Sequence, residues 1–318
     1  MVQVDLITGF LGAGKTTFLR RYAAWWAGQG VKVCVLENDF GAVNVDAMLL
    51  QDLEAQGVEL ETISGGCDCD THQRRMRTKL ISMAMRGFER VIVEPSGIFD
   101  VDEFFDVLRD EPLDRWYTLG NVIAIVDALL ETQLSPQGEY LLASEAASAG
   151  MVLMSRCQLA APGQAEATLA HLNRALEACH CARRFAADTD ALCKPWDALT
   201  DADMQRLDSC GHCQASYVKL HFDEHKAFTS LYFMELHLTL PQLQDAARAL
   251  FADPACGHIL RIKGFLQTVD GWCELNATRD TMHVEAIPDG QEVLIIIGEE
   301  LDRSAIEAHI GQKTADQE

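Results

Sequence analysis

A phosphate-binding loop occupies residues 9–16, which match the pattern G-x-x-x-x-G-K-[ST]. An apolar run typical of a buried strand precedes it and an amphipathic stretch typical of a helix follows it, so a chance match is the weaker interpretation. In such a loop the backbone N–H groups surround a phosphate, Lys15 reaches the β- and γ-phosphates, and the Thr16 hydroxyl binds Mg²⁺. The motif therefore predicts a nucleoside triphosphatase. The predicted nucleotide contacts in this segment are Gly9, Gly12, Ala13, Gly14, Lys15, Thr16 and Thr17.

Carboxylates follow two later apolar runs, where the ends of parallel strands place ligand-binding groups. Glu37 and Asp39 end one run and Asp46 follows it; they are candidates for contacts to Mg²⁺, for water positioning or for metal ligation, and a solvated acidic loop is the alternative. Glu94 ends the other run and is predicted to hold Mg²⁺ or its water. Gly97 would let a backbone N–H approach the γ-phosphate, a contact that hydrolysis would break. The predicted catalytic residues are Lys15, Glu94 and Asp39.

Two cysteines, Cys67 and Cys69, lie between these carboxylates. In extended chain, residues two apart point the same way, so both sulfurs can face one ion and supply half of a tetrahedral site. The alternative is a junction between loop and helix, capped by Asp70 or Thr71. Spacing alone does not decide between the two. The candidates for the remaining ligands are Asp70, His72, Glu37 and Asp39.

A second group of cysteines lies further along the chain. Cys210 and Cys213 have the C-x-x-C spacing of zinc or redox pairs, and Cys179 with Cys181 could complete a four-ligand site if the fold brings the pairs together. The alternative is reduced thiols on a flexible loop, since a reducing compartment disfavours structural disulfides. Four further cysteines in apolar surroundings are predicted to be small core residues: Cys34, Cys157, Cys256 and Cys273.

Composition limits the classes of partner. The 318 residues carry a formal net charge of −22 at pH 7, which disfavours nucleic acid and anionic membrane because phosphate contacts supply most non-specific binding. No apolar run approaches the ~20 residues that span a bilayer, and no basic leader precedes the phosphate loop. We therefore expect a cytoplasmic protein with neither nucleic acid nor membrane among its partners.

The pattern of apolar runs predicts two domains. Over 1–188, short runs rich in Val, Ile and Leu alternate with amphipathic stretches, typical of an α/β P-loop NTPase domain with a mostly parallel sheet. Over 216–311, longer alternating runs indicate a smaller α+β domain; 189–215 is predicted to be a connector and 312–318 a polar tail. The predicted strands are 2–8, 32–37, 90–94, 121–127, 150–154, 217–222, 231–239, 258–267, 271–278 and 292–298. The predicted helices are 16–28, 71–86, 102–109, 139–147, 164–177, 241–251 and 302–310.

Taken together, these motifs resemble those of the CobW-type P-loop GTPases, which are relatives of the nickel-enzyme maturation proteins UreG and HypB. The resemblance rests on the phosphate loop, on Asn38-Asp39-Phe40-Gly41 with Asp46, on Gly65-Gly66-Cys67-Asp68-Cys69 and on Glu94-Pro95-Ser96-Gly97. The segment 261–265, followed by Trp272, is similar to that family's C-terminal domain. The resemblance implies Mg²⁺ and GTP as cofactors and a role as metal chaperone or insertase, often for Zn²⁺ or Co²⁺.

The sequence departs from the family pattern at two places. The family's metal motif is C-x-C-C, and Asp70 stands at its third cysteine; a carboxylate is a harder ligand, so we expect weaker binding of soft metals. The base-binding motif N-K-x-D should follow the run that ends at Met154, where Ser155, Arg156 and Gln158 stand at its three named positions. Gln158 offers one acceptor and no charge, so GTP preference is expected to be reduced and ATP is not excluded. The resulting predicted metal ligands are Cys67, Cys69, Asp70 and Glu37.

Two functions fit these residues. The first is an NTPase that delivers a metal or metallocofactor to a client metalloenzyme or cofactor-dependent protein, and that can form a nucleotide-dependent homodimer. The second is a nucleotide-gated regulator or activator of a partner enzyme, with little turnover and no metal transfer. A small-molecule kinase is disfavoured because the cysteine pair and the loop over 94–97 would have no role in it.

Overall fold

The computed structural model describes residues 1–39, 50–64, 69–95, 97, 101–220, 227–234, 236–287 and 290–311, with the backbone alone at positions 38, 39, 51, 52, 64, 69 and 70. Contacts between Cα atoms divide the chain into two compact units, Met1–His221 and Phe222–Glu318.

The first unit is built on a seven-stranded parallel sheet with the strand order β3-β2-β4-β1-β5-β6-β7. Central strands such as β4 are buried along their whole length, as the continuous apolar runs predict. Because the strands are parallel, their carboxyl ends share one edge of the sheet. The strands are β1 (Val2–Thr8), β2 (Val33–Asp39), β3 (Glu59–Ser64), β4 (Arg90–Glu94), β5 (Tyr117–Asp127), β6 (Met151–Ser155) and β7 (Ala191–Cys193).

Helices of this unit connect and cover the strands. They are α1 (Lys15–Gly28), α2 (Cys69–Met85), α3 (Val101–Arg109), α4 (Leu113–Trp116), α5 (Pro136–Ala147), α6 (Gln164–Ala178) and α7 (Asp201–Asp208). Local sequence explains where α5 begins: Ser135 accepts a hydrogen bond from the Gly138 N–H at 3.0 Å, and Pro136 tolerates the first helical position. One face of α1 is buried in an apolar cluster of this unit, where Phe18 and Leu19 pack with Ile92 of β4.

A network of buried charged residues lies inside this unit and is centred on Arg90 of β4 and Asp5 of β1. Arg90 pairs with Asp5 and, at 3.0 Å, with Asp208. Asp5 also accepts hydrogen bonds from the Tyr22 hydroxyl at 3.0 Å and from the backbone N–H of Asn121 at 2.8 Å. Asp5 is thus a fully buried carboxylate whose partners come from three separate elements, β4, α1 and β5, which satisfies the rule that a buried charge must be paired.

The second unit is a five-stranded antiparallel sheet with the order β11-β10-β9-β12-β8, covered by two helices. Its apolar cluster joins Leu243 and Leu250 of the first helix to Ile262 and Ile296 of the sheet and to Ile306 of the second helix. The elements are β8 (Thr229–Met234), α8 (Leu240–Ala252), β9 (His258–Thr268), β10 (Gly271–Ala277), β11 (Met282–Ile287), β12 (Val293–Glu299) and α9 (Arg303–Ile310).

The predicted fold class is confirmed: a mostly parallel α/β sheet with helices is followed by a smaller sheet domain. Three strands, β3, β7 and β11, were not predicted. In β3, the charge of Glu61 interrupts the apolar signal; Glu61 is partly buried and pairs with Lys79 of α2 and with Arg86, which directly follows that helix, each at 2.6 Å. The strand predicted over 217–222 is irregular in its described part, 217–220, where Val218 and Leu220 are exposed.

The span 189–215, expected to be a loose connector, belongs to the packed part of the first unit. It supplies β7, which pairs with β6, and α7, whose Met204 and Leu207 are buried in the apolar cluster. Thr200 and Asp203 form a capping box at the start of α7. The expectation failed because strands of three residues and helices of two turns are too short to give a visible hydrophobic period.

Candidate functional site

The phosphate-binding loop lies between β1 and α1, at the carboxyl edge of the parallel sheet. Its conformation depends on glycine: Gly9 has a φ of +142°, and a β-carbon there would lie 2.2 Å from the carbonyl oxygen of Ile125 on β5. Gly14, with a φ of +101°, caps α1. Within the described residues, no side chain caps that end of α1, and the first turn contains no acidic residue. The positive end of the helix dipole therefore faces the loop without a neutralising charge from its own turn.

Lys15 is folded over this loop. It is only 8% exposed, and its Nζ donates a hydrogen bond to the carbonyl oxygen of Gly9 at 2.8 Å. Gly97 meets the loop from the other side, since a β-carbon added there would lie 2.8 Å from the Leu11 nitrogen and 2.9 Å from Lys15 Nζ. The structure therefore brings together the predicted lysine and the predicted glycine sensor, which are 82 positions apart in sequence.

A hydroxyl and two carboxylates complete this edge. Thr16 Oγ1 donates a hydrogen bond to Glu94 Oε1 at 2.8 Å. Glu37 on β2 is the register partner of Glu94 on β4, so the two carboxylate residues stand side by side on neighbouring strands, and both are buried. Oxygen donors of this kind are the ligands that Mg²⁺ prefers. Of the other predicted loop contacts, Gly12 and Ala13 are buried and Thr17 is exposed on α1.

Glu145 is a functional candidate that the sequence analysis missed. It lies on α5, is 1% exposed, and accepts hydrogen bonds from the Thr8 hydroxyl and, at 3.0 Å, from the backbone N–H of Gly9. A carboxylate on the buried side of a helix thus holds the entry to the phosphate loop. One feature of the sequence could have identified Glu145. It is a charged residue within the alanine- and leucine-rich run over 141–147, and a charge buried in such a helix needs a partner.

The segment after β6, where the base-binding motif was expected, contacts the loop through a cation. Arg156, in a left-handed conformation with a φ of +54°, pairs with Asp127 and donates from Nη2 to the Gly12 carbonyl oxygen at 3.1 Å. Ser155 is buried, and among the residues that the structure describes its hydroxyl has no hydrogen-bond partner. Gln158 is exposed. The segment after β6 therefore contacts the phosphate loop through Arg156. Gln158, which stands where the family has the base-binding aspartate, is exposed to solvent.

Trp196 is a second contact that sequence reasoning missed, because it lies in the span taken for a connector. Its indole N–H donates to the Met154 carbonyl oxygen at 3.1 Å, and its ring would lie 3.0 Å from a β-carbon at Gly14. Close by, the sulfurs of Cys157 and Cys193 are 2.7 Å apart. Cys157, predicted to be a core residue, is only half-buried, although burial raises the pKa of its thiol to about 12.

The predicted cargo-metal ligands are described only in part. Asp46 and Cys67 lie outside the described residues, as do the side chains of Asp39, Cys69 and Asp70. Cys69 is the first residue of α2, so the cysteine pair precedes and opens a helix. His72, near the start of the same helix, is buried. Glu37 is the one member of the predicted ligand set whose side-chain burial is described.

The second cysteine group does not form a metal site within the described part of the chain. Neither Cys179 with Cys181 nor Cys210 with Cys213 belongs to a cluster of three or more ligand side chains there. The Cys210 thiol instead lies against backbone and amide oxygens at 3.6–3.9 Å, and burial raises its pKa to about 12. Within the same described residues, no helix is long and apolar enough to cross a bilayer.

Comparisons with known proteins match both units. The CobW/HypB/UreG nucleotide-binding domain matches residues 3–185, and the cobalamin synthesis protein cobW C-terminal domain matches residues 235–313. The zinc chaperone YjiA of Escherichia coli is 32% identical over 176 residues, or 52% of each chain, and the zinc chaperone YeiR of the same organism is 24% identical over 97% of each. The zinc-regulated GTPase metalloprotein activator 1 of Dictyostelium discoideum is 28% identical over 44% of this chain and 33% of its own length.

Solved structures give more distant matches. The crystal structure of Zn(II)-bound YjiA GTPase from E. coli aligns over 98% of this chain and 99% of its own, with 19% identity and a TM-score of 0.40. The structure of HypB from Helicobacter pylori in complex with nickel aligns over 56% of this chain and 74% of its own, with 16% identity and a TM-score of 0.35. The chain thus spans about half the length of YjiA in the sequence match and almost all of YeiR.

Proposed function

The chain belongs to the CobW/HypB/UreG family of P-loop GTPases, and on that premise we propose that it hydrolyses GTP to deliver a metal ion, Zn²⁺ in the first instance, to a client protein. The observation that carries this proposal is the pairing of Glu37 with Glu94 on adjacent strands. Glu94 contacts Thr16 of the nucleotide loop, and Glu37 belongs to the predicted cargo-metal set. One edge of the sheet therefore joins the two sites.

The described residues support the following division of work. Lys15 stabilises the negative charge that develops on the γ-phosphate as water attacks phosphorus and the bond to the β–γ bridging oxygen breaks, giving GDP and phosphate. Thr16 and Glu94 offer hard oxygen donors to Mg²⁺, which would neutralise charge on the β- and γ-phosphates. Asp39 as the residue that positions the water stays a prediction.

Coupling to the cargo follows from Gly97. Its backbone lies against Leu11 and Lys15, and we expect its N–H to contact the γ-phosphate of a bound nucleotide. When the γ-phosphate leaves, that contact is lost and the segment after Glu94 is released. Because Glu37 stands beside Glu94 in the sheet, we expect that release to shift Glu37 and so to change the predicted metal site. A relaxed Cys67, Cys69, Asp70 and Glu37 site would then pass its ion to the client.

Metal binding and nucleotide binding should therefore affect each other. We expect the Zn²⁺ affinity of the wild type to differ between GDP and a non-hydrolysable GTP analogue, and triphosphate affinity to change by the same factor when Zn²⁺ is bound. Cys67→Ser/Cys69→Ser should weaken Zn²⁺ binding by at least about a hundredfold, because two thiolate ligands are lost. Asp70→Cys should tighten it, since a third thiolate suits zinc better than a carboxylate. Titration against a competing chromophoric chelator measures all three.

The matched control is Cys210→Ser/Cys213→Ser, a second thiol pair that joins no three-ligand cluster in the described residues. It should bind Zn²⁺ at the predicted site like the wild type. Equal affinity in the wild type and in Cys67→Ser/Cys69→Ser would end the claim of a cargo site. If Zn²⁺ affinity is the same with GDP and with the GTP analogue, the metal site stands, but the result favours a nucleotide-gated regulator over a metal chaperone.

Nucleotide selectivity gives a second test. Because exposed Gln158 replaces a carboxylate that would bind guanine, GTP should be favoured over ATP only modestly. A charged hydrogen bond is worth about 1.5–3 kcal/mol, so Gln158→Asp should raise the preference for GTP by roughly tenfold to a hundredfold. Competition between the two nucleotides for a fluorescent GDP analogue gives the ratio. Gln205→Asp, which adds the same charge at an exposed position of α7, should leave it unchanged; a wild-type preference of many thousandfold would show that another residue binds the base.

A further inference from the structure

We propose that the second unit contains a metal site of its own, formed by Asp253, Cys256 and His309, and that it takes Zn²⁺. One ligand atom from each side chain lies within 4.8 Å of the others. The three residues form a cluster of possible metal ligands among the described residues. From the sequence alone, Cys256 was predicted to be a small core residue. The inference is separate from the function proposed above, because it uses no residue of the nucleotide-binding unit.

The chain presents two of these ligands one short turn apart. Helix α8 ends at Ala252 and the turn Pro254–Cys256 follows it directly. Asp253 Oδ1 accepts a hydrogen bond from the Ala255 N–H at 2.9 Å, and the Cys256 N–H donates to the Asp253 carbonyl oxygen at 3.1 Å. The aspartate side chain and the cysteine are therefore fixed relative to each other before any ion binds.

The third ligand comes from the last turn of α9. Ile306 and Ile310 of this helix are buried in the apolar cluster that also holds Cys256, so packing sets the position of His309. His309 Nε2 lies 2.8 Å from Asp253 Oδ2. In tetrahedral zinc sites the bond lengths to nitrogen, oxygen and sulfur place ligand atoms about 3.3–3.6 Å apart. The histidine and aspartate atoms would thus separate by about half an ångström to hold the ion.

Burial and donor type favour zinc over other occupants. Thiolate, imidazole and carboxylate together are the donors of zinc sites, whereas Mg²⁺ and Ca²⁺ take oxygen. Cys256 is fully buried, while the side chains of Asp253 and His309 are 36% and 28% exposed. The sulfur would form the floor of the site and the other two ligands its rim. Three protein ligands leave a fourth position on the solvent side, as in zinc sites that exchange a ligand.

Charge around the sulfur also favours a cation. The carboxylates of Asp253 and Asp302 both act electrostatically on the Cys256 thiol. A divalent cation at the cluster would be attracted by the same two carboxylates. The alternative is that Asp253 and His309 form only an ion pair that fixes the end of α9, and such a pair would need no thiol. His258 and Glu299 of the same unit form an ion pair of this kind, at 2.9 Å, and belong to no three-ligand cluster among the described residues.

The test uses the full chain carrying Cys67→Ser/Cys69→Ser, so that the predicted cargo site is silent, without nucleotide. Co²⁺ serves as the probe, because a bound thiolate gives a charge-transfer band in the near ultraviolet and tetrahedral coordination gives intense visible bands; Zn²⁺ affinity is taken from competition with a chromophoric chelator. We expect one equivalent with a single thiolate. Cys256→Ser should remove the thiolate band, and His309→Gln should lower Zn²⁺ affinity by at least about tenfold while circular dichroism stays unchanged.

Two variants serve as matched controls. Cys273→Ser removes another buried cysteine of the same apolar cluster, and His258→Gln removes the histidine of the pair that lacks a thiol. Both should keep the band and the affinity. If Cys256→Ser does not fold, the variant at His309, whose side chain is only partly buried, still decides the question. Zn²⁺ affinity that is equal in His309→Gln and its parent, or no tight Co²⁺ equivalent in the parent, would overturn the proposal without bearing on the nucleotide-linked cargo site.

Discussion

Lys15→Ala will lower the rate of GTP hydrolysis by at least about a hundredfold, because it removes the cation that stabilises charge at the β- and γ-phosphates in the transition state. The lysine is already in place: its Nζ is held by the Gly9 carbonyl oxygen at 2.8 Å and is bordered by Gly97. When nucleotide binds, Lys15 would exchange the Gly9 carbonyl oxygen for phosphate oxygens close to the same loop.

Sequence alone suggests that Lys15 is exposed and can be removed without effect on the fold, yet the structure buries it. Truncation leaves the Gly9 carbonyl without that donor, so we expect a loss of about 1–2 kcal/mol in the free energy of unfolding in addition to the loss of activity. Single-turnover hydrolysis at saturating GTP separates the two effects. The control is Lys32→Ala, which also removes a 2.8 Å bond from Nζ to a backbone carbonyl, here that of Arg86. Turnover in Lys15→Ala equal to that of the wild type would refute the assignment.

Arg90→Met should lower the free energy of unfolding by about 3–5 kcal/mol, because it leaves a buried charge without its counter-ion. Asp5 is completely buried and would keep only the neutral donors Tyr22 and Asn121. The substitution also removes a cation from the face of Trp26, whose ring centre lies 3.5 Å from the guanidinium carbon. Urea denaturation at pH 7 measures the loss.

Two variants test the reason for that loss. Asp5→Asn/Arg90→Met should recover part of the stability, because the neutral amide no longer needs a counter-ion. Arg115→Met, which breaks an exposed ion pair with Glu111, should cost less than about 1 kcal/mol. Full additivity of the two buried substitutions would contradict the argument.

The loss of stability in Arg90→Met should depend on pH, and the pKa of Asp5 gives the direction of that dependence. Burial raises the pKa of Asp5 and outweighs the lowering by Arg90. A carboxyl whose pKa is raised in the folded state contributes stability that is present below its unfolded pKa and is lost as pH rises through the folded value. Without Arg90 the pKa of Asp5 rises further. The deficit of Arg90→Met should therefore be largest near neutral pH and should shrink as the pH falls.

Sequence was most informative where a site is built from consecutive residues. The phosphate loop, Glu94 and Gly97 were predicted because backbone geometry over a few residues fixes their roles, and the structure brings Gly97 against Lys15. The same holds for the parallel sheet, whose apolar runs give its fold class. Guanine selectivity and the cargo ligands remain predictions, because the first depends on Gln158 and the second falls mostly outside the described residues.

The features that could not be predicted from the sequence depend on contacts between residues that are far apart along the chain. Glu145 is hydrogen-bonded to Gly9 of the loop and Trp196 lies against Gly14, from a helix and a turn that no local sequence pattern links to the loop. Cys256 looks like a core cysteine in its own segment, and only the packing of α9 brings His309 to it. Likewise the charged residues of β3 conceal a strand, since their partners Lys79 and Arg86 lie on α2 and directly after it.

The contact between Glu145 and Gly9 also bears on the order in which the protein can be completed during synthesis. Gly9 leaves the ribosome 136 residues before Glu145, an interval on the order of ten seconds at ordinary rates of translation. Throughout that time the nascent chain carries the whole phosphate-binding motif without the carboxylate that holds its first glycine. A fragment ending before α5 would have the same deficiency permanently, so the motif becomes a finished loop only when nearly half of the chain has been made.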